Sequence, residues 1–268
     1  MRTDFNQTLV STVSDNHDHS LLGQVGLIVA PERDTIAKFF LAVDEDIRSR
    51  GFFLGVYRDF REFKRISLEQ GKTLFPAFDP AFHQLDSEQS FWLALRQGGP
   101  TGPLVGIQGG KLQLLGDRTL GDYIATGRFF YTDPLEQMES GERFIIQGEA
   151  DVFASKVMER VAYSGGTTIC PEWRGRTNLA RVLPLISHTL GYSRWYVDWV
   201  ISMVDQGIHD SVVTQRYAHT NDCGGLEWFR PRMPNRRKWW IIAKRAEDVV
   251  TQAGAYLDQP VKERLRIG

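Results

Sequence analysis

A short basic turn between an apolar strand and a helix is the segment of this chain best suited to chemistry. Residues 167–180 read TTICPEWRGRTNLA. Pro171 ends the strand, and the first turn of the next helix offers free backbone N–H groups and the positive end of its dipole. Arg174 and Arg176 add positive charge, and Gly175 lets the backbone approach an anion closely. The turn therefore predicts a binding site for a ligand that carries phosphate.

The hydrophobic periodicity around this turn predicts a mixed α/β protein. Helical spacing is expected over residues 33–50, 58–70, 120–126, 176–190, 208–217 and 249–257. Strands are expected over residues 22–30, 90–96, 104–115, 162–169, 195–203, 226–229 and 239–243. The second and third of these strands flank a glycine-rich turn and form a hairpin. The helix over 176–190 should end at Gly191, and Pro184 should kink it.

Composition places further limits on the class of protein. The chain has 268 residues and a formal net charge of -1, so it lacks the overall positive charge of a nucleic-acid-binding protein. Its two cysteines, Cys170 and Cys223, are far apart and show no metal-ligand spacing, so no metal site is expected. No apolar run has the length of roughly 20 residues that spans a bilayer, and a membrane protein is not expected.

Residues 1–21 are predicted to be a flexible tail, and residues 22–268 a single domain with an insertion around 116–150. Met1–Ser20 is polar and acidic, without the basic start and apolar core of a signal peptide. We therefore expect a cytoplasmic protein.

The turn resembles the phosphate loop of the GCN5-related N-acetyltransferase (GNAT) superfamily. In that family a strand ending in Val-x-Pro-Glu-Tyr leads into Arg-Gly-x-Gly-x-Gly/Ala. Ile169 stands at the Val position, Pro171–Trp173 at Pro-Glu-Tyr, and Arg174–Arg176 at the start of the loop. Thr177 and Leu179 depart from the pattern, because they replace small residues.

The resemblance implies a GNAT-like central mixed sheet flanked by helices on both faces, and a cofactor that is acetyl-CoA or another acyl-CoA. It places the cofactor on six residues of the strand end and the turn: Ile169, Arg174, Gly175, Arg176, Thr177 and Asn178. The strands over 162–169 and 195–203 would separate around the thioester, and the N–H of Ile169 would polarise its carbonyl group.

Tyr217 stands where the family often has a tyrosine that protonates the departing thiolate. An aromatic side chain packed on the sheet is an equally good interpretation of Tyr217. The family has no fixed general base, and the sequence offers only guesses for this role, which are Glu149, Glu159, Asp198 and His209.

The function implied is transfer of an acyl group, most simply acetyl, from CoA to the amine of a small molecule or amino acid. Two alternatives stay open. The acyl group could come from an acyl carrier protein docked on the basic segment Arg230–Lys238, or Thr177 and Leu179 could mark a degenerate binding module. The many aromatic residues could favour an apolar acceptor or a longer acyl chain, although core packing explains most of them. The acceptor is not identified, and a homodimer stays open.

Overall fold

One mixed β-sheet organises the protein in the computed structural model, which describes residues 19–26, 32–175, 178–211, 219–231 and 237–266. Its eight strands lie in the order β1-β2-β3-β5-β6-β8-β7-β4. They are β1 (Phe52–Tyr57), β2 (Ser90–Gln97), β3 (Leu104–Gly116), β4 (Arg143–Ile146), β5 (Glu159–Ile169), β6 (Trp199–Asp205), β7 (Asn221–Phe229) and β8 (Arg237–Arg245). The pair β5–β6 is parallel, and the other paired neighbours are antiparallel. The predicted mixed sheet is confirmed.

Helices cover both faces of this sheet, as predicted. They are α1 (Leu21–Gln24), α2 (Arg33–Arg48), α3 (Phe60–Glu69), α4 (Leu120–Ala125), α5 (Pro134–Gln137), α6 (Glu149–Ala154), α7 (Leu179–Trp195), α8 (Gln206–His209), α9 (Ala246–Leu257) and α10 (Val261–Arg264). Helices α2, α7 and α9 bury a largely aliphatic core on one face. Helices α3, α4 and α6 pack on a largely aromatic core on the other. Within the described ranges, no helix is long and apolar enough to cross a membrane.

The apolar spacing that predicts the two long helices of the first face is confirmed by their burial. Both helices turn a continuous apolar stripe toward the sheet, which is the expected behaviour of a periodic pattern. The buried residues are Ile36, Phe39, Phe40, Val43 and Ile47 of α2, and Leu179, Val182, Leu183, Ile186 and Leu190 of α7. The glycine-turned hairpin of β2 and β3, the closing strands β7 and β8, and helix α9 are also confirmed.

The ends of α7 correct the sequence prediction. The helix begins at Leu179 and does not stop at Gly191 but continues to Trp195. A Cβ atom at Gly191 would lie 3.3 Å from the Cβ of Ala162, so this glycine allows close packing of helix and sheet. The helix ends instead at Tyr196, whose φ of 49° places it in the left-handed region. The following strand therefore starts at Trp199 and not at residue 195.

The N-terminal strand predicted over residues 22–30 is also wrong where the structure describes it. Leu21–Gln24 forms a helical turn, because the side chain of Ser20 accepts a hydrogen bond from the N–H of Gly23 and caps it. His19 stacks on Tyr57, and Leu21 is fully buried. These last residues of the predicted tail are thus packed on β1, a strand that the sequence analysis does not predict.

A buried carboxylate ties the segment between β3 and β5 to the sheet. This segment holds α4, α5, β4 and α6, and β4 pairs with β7 at the sheet edge. The Glu142 carboxylate accepts hydrogen bonds from the hydroxyl of Tyr131 and the indole N–H of Trp228, both at 2.7 Å. The side chain of Glu142 is fully buried, and the guanidinium of Arg230 lies beside it.

Replacing this carboxylate should destabilise the protein. Glu142→Ala leaves two buried donors without an acceptor, so the free energy of unfolding should fall by about 3 kcal/mol. Urea denaturation followed by tryptophan fluorescence measures the change. The matched control is Glu136→Ala, which removes an exposed carboxylate of α5. Equal stability of the two variants would contradict the structural role of Glu142.

Candidate active site

The two parallel strands of the sheet separate toward their carboxyl ends. Their pairing ends at Tyr163 and Ile201, although β5 continues to Ile169 and β6 to Asp205. The separated parts stay in the sheet, because β3 pairs with β5 as far as Ile169 and β8 pairs with β6 as far as Asp205. The result is an opening between two strands in the middle of the sheet.

A cavity of about 350 Å³ occupies this opening. Pro184 of α7 lines it from the aliphatic face of the sheet. Phe75 and Trp228 line it from the aromatic face. The cavity therefore passes through the sheet, and two reactants could approach each other in it from opposite faces.

A β-bulge shapes the β5 side of the cavity. Ile107 of β3 pairs with Thr168, whereas Gly109 pairs with Gly165, so β5 contains one extra residue here. Gly166 takes up the bulge with φ of 65°, and a Cβ there would lie 2.8 Å from the ring of Phe63. A glycine is required at this position for both reasons.

The backbone of Ile169 faces the opening. The N–H of Cys170 donates to the carbonyl oxygen of Val105 in β3 at 2.9 Å. Since successive N–H groups of a strand point to alternate edges, the N–H of Ile169 points toward the separated strand β6. The carbonyl oxygen of Ile169 lies on this edge too, where it accepts a hydrogen bond from Nε of Arg174 at 2.8 Å. The Ile169 N–H is thus directed toward the opening, and the neighbouring residues Thr167 and Thr168 line the cavity itself.

A polar network holds the wall of the cavity together. The Gln108 side chain donates to the Ser164 hydroxyl at 2.8 Å and accepts a hydrogen bond from the Thr167 hydroxyl. The Ser164 hydroxyl donates in turn to Ser187 of α7 at 3.1 Å. The network connects β3, both sides of the bulge and the helix that follows the turn, so it fixes their relative positions.

The turn after β5 is described as far as Gly175. Pro171–Trp173 forms a single 3₁₀ turn, and Trp173 packs edge-on against Phe52 with ring centroids 5.5 Å apart. Gly175 has φ of 74° in open space, so its conformation favours glycine. Arg174 is exposed beside it. Arg176 and Thr177 lie outside the described residues.

Cys170 does not have the properties of a nucleophile. Its side chain is buried at the end of β5, and burial raises the pKa of its thiol. A neutral buried thiol is a structural residue and a poor nucleophile.

Asn178 has a different position from the one implied by the resemblance. Its side-chain amide donates to the carbonyl oxygen of Arg264 at 3.0 Å and accepts from the N–H of Arg266 at 2.8 Å. Its backbone N–H donates to the carbonyl oxygen of Arg266 at 3.1 Å. These groups are engaged by the C-terminal segment and are not available to a phosphate. Leu265 between the two arginines is buried in the aliphatic core.

The catalytic candidates are only partly described. Tyr217 lies outside the described residues, and the predicted helix over 208–217 is seen only as α8 (Gln206–His209). The sequence offered four guesses for a general base, and none of them lines the cavity: Glu149, Glu159, Asp198 and His209. His209 instead hydrogen-bonds the carboxylate of Asp222 at 3.0 Å and stacks on Trp240.

The cavity contains polar residues that the sequence analysis missed. Asp205 at the end of β6 lines it, as do Lys72 and Arg237. Tyr163 lines it as well, and burial raises the pKa of this phenol, so its hydroxyl stays protonated. The sequence gives little indication of these residues, because their segments are far apart along the chain and only the sheet order brings them together.

The basic segment Arg230–Lys238, the alternative docking site for an acyl carrier protein, is described only in part. Arg230 turns into the protein and forms an ion pair with Glu139 at 2.6 Å. Arg237 lines the cavity. Residues 232–236 lie outside the described residues. Arg230 and Arg237 are thus not on the surface where an acidic carrier protein would dock.

Comparison with known proteins gives a likeness at the level of structure. No protein-family model matches this chain. No curated protein matches its sequence. The solved structures that match include NAA60 of Arabidopsis thaliana in complex with acetyl-CoA, which is 14% identical over 73% of this chain and 99% of that chain, with a TM-score of 0.42.

Two other matches carry the name of an acetyltransferase. Spermidine N-acetyltransferase of Vibrio cholerae is 12% identical over 74% of this chain and 97% of that chain, with a TM-score of 0.42. A GNAT-family acetyltransferase of Streptococcus pneumoniae is 8% identical over 72% of this chain and 98% of that chain, with a TM-score of 0.36. Because all three TM-scores lie below 0.5, the activity is inferred below from the site itself.

Breaking the contact of Asn178 should release the C-terminal segment. Asn178→Ala removes two hydrogen bonds, so the amide of Arg266 should exchange with deuterium faster and the free energy of unfolding should fall by about 1–2 kcal/mol. Hydrogen exchange with mass spectrometry measures the first effect and urea denaturation the second. Asn221→Ala is the control, because that side chain hydrogen-bonds only the neighbouring Thr220 hydroxyl among the described contacts. Unchanged exchange at Arg266 would contradict the contact.

Proposed function

We propose that this chain is an acyl-CoA-dependent N-acyltransferase, most simply an N-acetyltransferase, that acts on the amine of a small molecule or amino acid. The observation that carries the proposal is the opening between β5 and β6, with the Ile169 N–H directed into it and a basic turn directly after that residue. We treat residues 22–268 as one catalytic domain, with the segment around 116–150 as an insertion. The cytoplasmic location stays a prediction from the sequence.

The residues at the opening fit an acyl-CoA. The turn offers the exposed Arg174 and the backbone of Gly175 to a pyrophosphate. Arg176 and Thr177, which lie outside the described residues, are assigned to the same site from the resemblance. When bound, the cofactor supplies an acyl group activated as a thioester. The N–H of Ile169 donates to the thioester carbonyl oxygen, where negative charge develops during attack by the amine.

Two proton transfers complete the reaction. Asp205 is the carboxylate that lines the cavity and is placed to accept a proton from the amine. Tyr217 is assigned, from the resemblance, to donate a proton to the departing sulfur. Pro184 of α7 lines the cavity on one face of the sheet and Phe75 and Trp228 line it on the other, so an acyl-CoA would be held from the side of α7 and the amine would approach from the aromatic face. This geometry supports direct transfer in a ternary complex.

The two alternatives receive less support from the described residues. An acyl carrier protein would dock on exposed cations, but Arg230 is paired with Glu139. A degenerate module was suggested by Thr177 and Leu179, and Thr177 lies outside the described residues. Leu179 is the first residue of α7, and its side chain is buried in the aliphatic core.

Calorimetric titration with acetyl-CoA tests the proposal most directly. We expect a dissociation constant in roughly the micromolar range. Dephospho-CoA and a long-chain acyl-CoA are the comparison ligands, and a preference for the long chain would change the acyl group but not the reaction class. If none of the three ligands bound, the proposal would be contradicted.

Changes in the turn should weaken cofactor binding without unfolding the protein. Arg174→Ala removes a cation, and Gly175→Glu adds a negative charge and strains a left-handed backbone. Each should weaken acetyl-CoA binding by about 1–3 kcal/mol. Arg118→Ala, an exposed arginine after β3, is the control. If both turn variants bound like the control, the assignment of the phosphate site would be wrong.

Removal of the Tyr217 hydroxyl should slow turnover and spare binding. Tyr217→Phe should lower kcat about 100-fold, because a proton donor commonly contributes at least this much. The affinity for acetyl-CoA by calorimetry should stay the same. Tyr196→Phe is the control, since this tyrosine is exposed beyond the end of α7. A wild-type rate for Tyr217→Phe would show that Tyr217 is not the proton donor and would favour its interpretation as a packing residue.

A further inference from the structure

The cavity has an excess of positive charge. Lys72, from the segment after α3, and Arg237, at the start of β8, both line it. Neither side chain forms an ion pair with a carboxylate of the described residues. Asp205 is the carboxylate of the described cavity wall, and one of its oxygens already accepts the N–H of Gly207 at 2.9 Å. The cavity is therefore suited to a ligand that carries negative charge.

Arg237 lies on the face of β8 that borders the cavity. Residues of a strand alternate between its two faces, so Arg237 and Trp239 lie on one face and Lys238 on the other. Arg237 and Trp239 both line the cavity, whereas Lys238 is exposed and does not line it. A guanidinium can bind a carboxylate with two parallel hydrogen bonds.

Aromatic rings form the wall next to Arg237. The Phe75 ring lies 5.0 Å from Trp239 and 5.8 Å from Trp228, measured between ring centroids. All three rings line the cavity. The indole N–H of Trp239 is buried and has no acceptor among the described residues, so this wall holds an unused donor. Such a wall favours a flat or bulky apolar group.

We propose that the acceptor is an α-amino acid with an aromatic or large apolar side chain. Arg237 and Lys72 bind its carboxylate, and its side chain packs on Phe75, Trp228 and Trp239. This proposal rests on the proposed acyltransferase function and names its substrate class. A polyamine is disfavoured, because two cations of the cavity would repel it.

The reaction is balanced with these roles. The amine nitrogen forms a bond to the acyl carbon, and the bond between that carbon and the sulfur breaks. The amine loses one proton, and the sulfur gains one. The carboxylate of the amino acid is unchanged and serves only for recognition.

A panel of acceptors tests the proposal with acetyl-CoA as the donor. It contains L-phenylalanine, phenethylamine, which lacks the carboxylate, and spermidine. Thiol release gives the rates, and mass spectrometry identifies the products. We expect kcat/KM for L-phenylalanine to exceed that for each of the other two at least 10-fold. A preference for phenethylamine or spermidine would overturn the proposal.

The role of Arg237 has its own test. Arg237→Gln should raise KM for L-phenylalanine roughly 10- to 100-fold. Its rate with phenethylamine should stay unchanged, a difference that a merely structural defect would not give. Lys238→Gln is the matched control, one residue away on the opposite face of β8, and Arg237→Lys should restore part of the affinity. Equal effects of Arg237→Gln on both acceptors would overturn the assignment.

The substrate class and the reaction class can fail separately. Calorimetry with acetyl-CoA reports on the proposed function alone. If acetyl-CoA binds but L-phenylalanine is not acetylated, the substrate class is wrong and the acyltransferase proposal stands. If acetyl-CoA does not bind, the reaction class fails. Tryptophan fluorescence with added L-phenylalanine then decides whether the cavity binds the amino acid, and an unchanged signal would overturn this inference as well.

Discussion

The separation of β5 from β6 is the constraint on which the rest of the structure depends. Two neighbouring strands of a sheet normally pair along their length, because unpaired buried backbone groups are costly. Here each strand keeps its outer partner, and the inner edges part beyond Tyr163 and Ile201. The bulge at Gly166 and the polar network around Gln108 hold β5 in this position. The opening is thus built into the sheet by the conformation of β5.

The two faces of the sheet serve different purposes. Aliphatic side chains under α2, α7 and α9 form a close-packed layer that supports the helix after the turn. The opposite face is rich in aromatic rings, most of which are core, such as Phe129 and Phe130. Phe75 connects the two roles, since its ring contacts both Phe130 in the core and Trp239 in the cavity wall. The many aromatic residues of the sequence therefore serve in both places: most pack in the core, and a few line the cavity.

Helix α7 joins three parts of the chain. The turn after β5 leads into it, the network of Ser164 and Ser187 fastens it to the bulge, and Asn178 holds the C-terminal segment against it. The geometry of the turn consequently depends on residues that are distant along the chain. This explains why Asn178, which the family resemblance gave to the cofactor, is engaged by the protein itself.

Local pattern determined much of the fold before any tertiary contact was known. The apolar stripes of α2 and α7, the glycine-turned hairpin and the turn from Ile169 to Gly175 were predicted, because periodicity and backbone conformation are properties of short segments. The ends of elements were harder: Gly191 is a packing residue inside a helix, and Leu21–Gln24 is a capped turn where a strand was expected. Only the tertiary structure decided the cavity, since Lys72, Asp205 and Arg237 meet through strand order and the parting of β5 and β6. Contacts of this kind depend on how distant segments pack, and a single sequence carries no periodic signal for them.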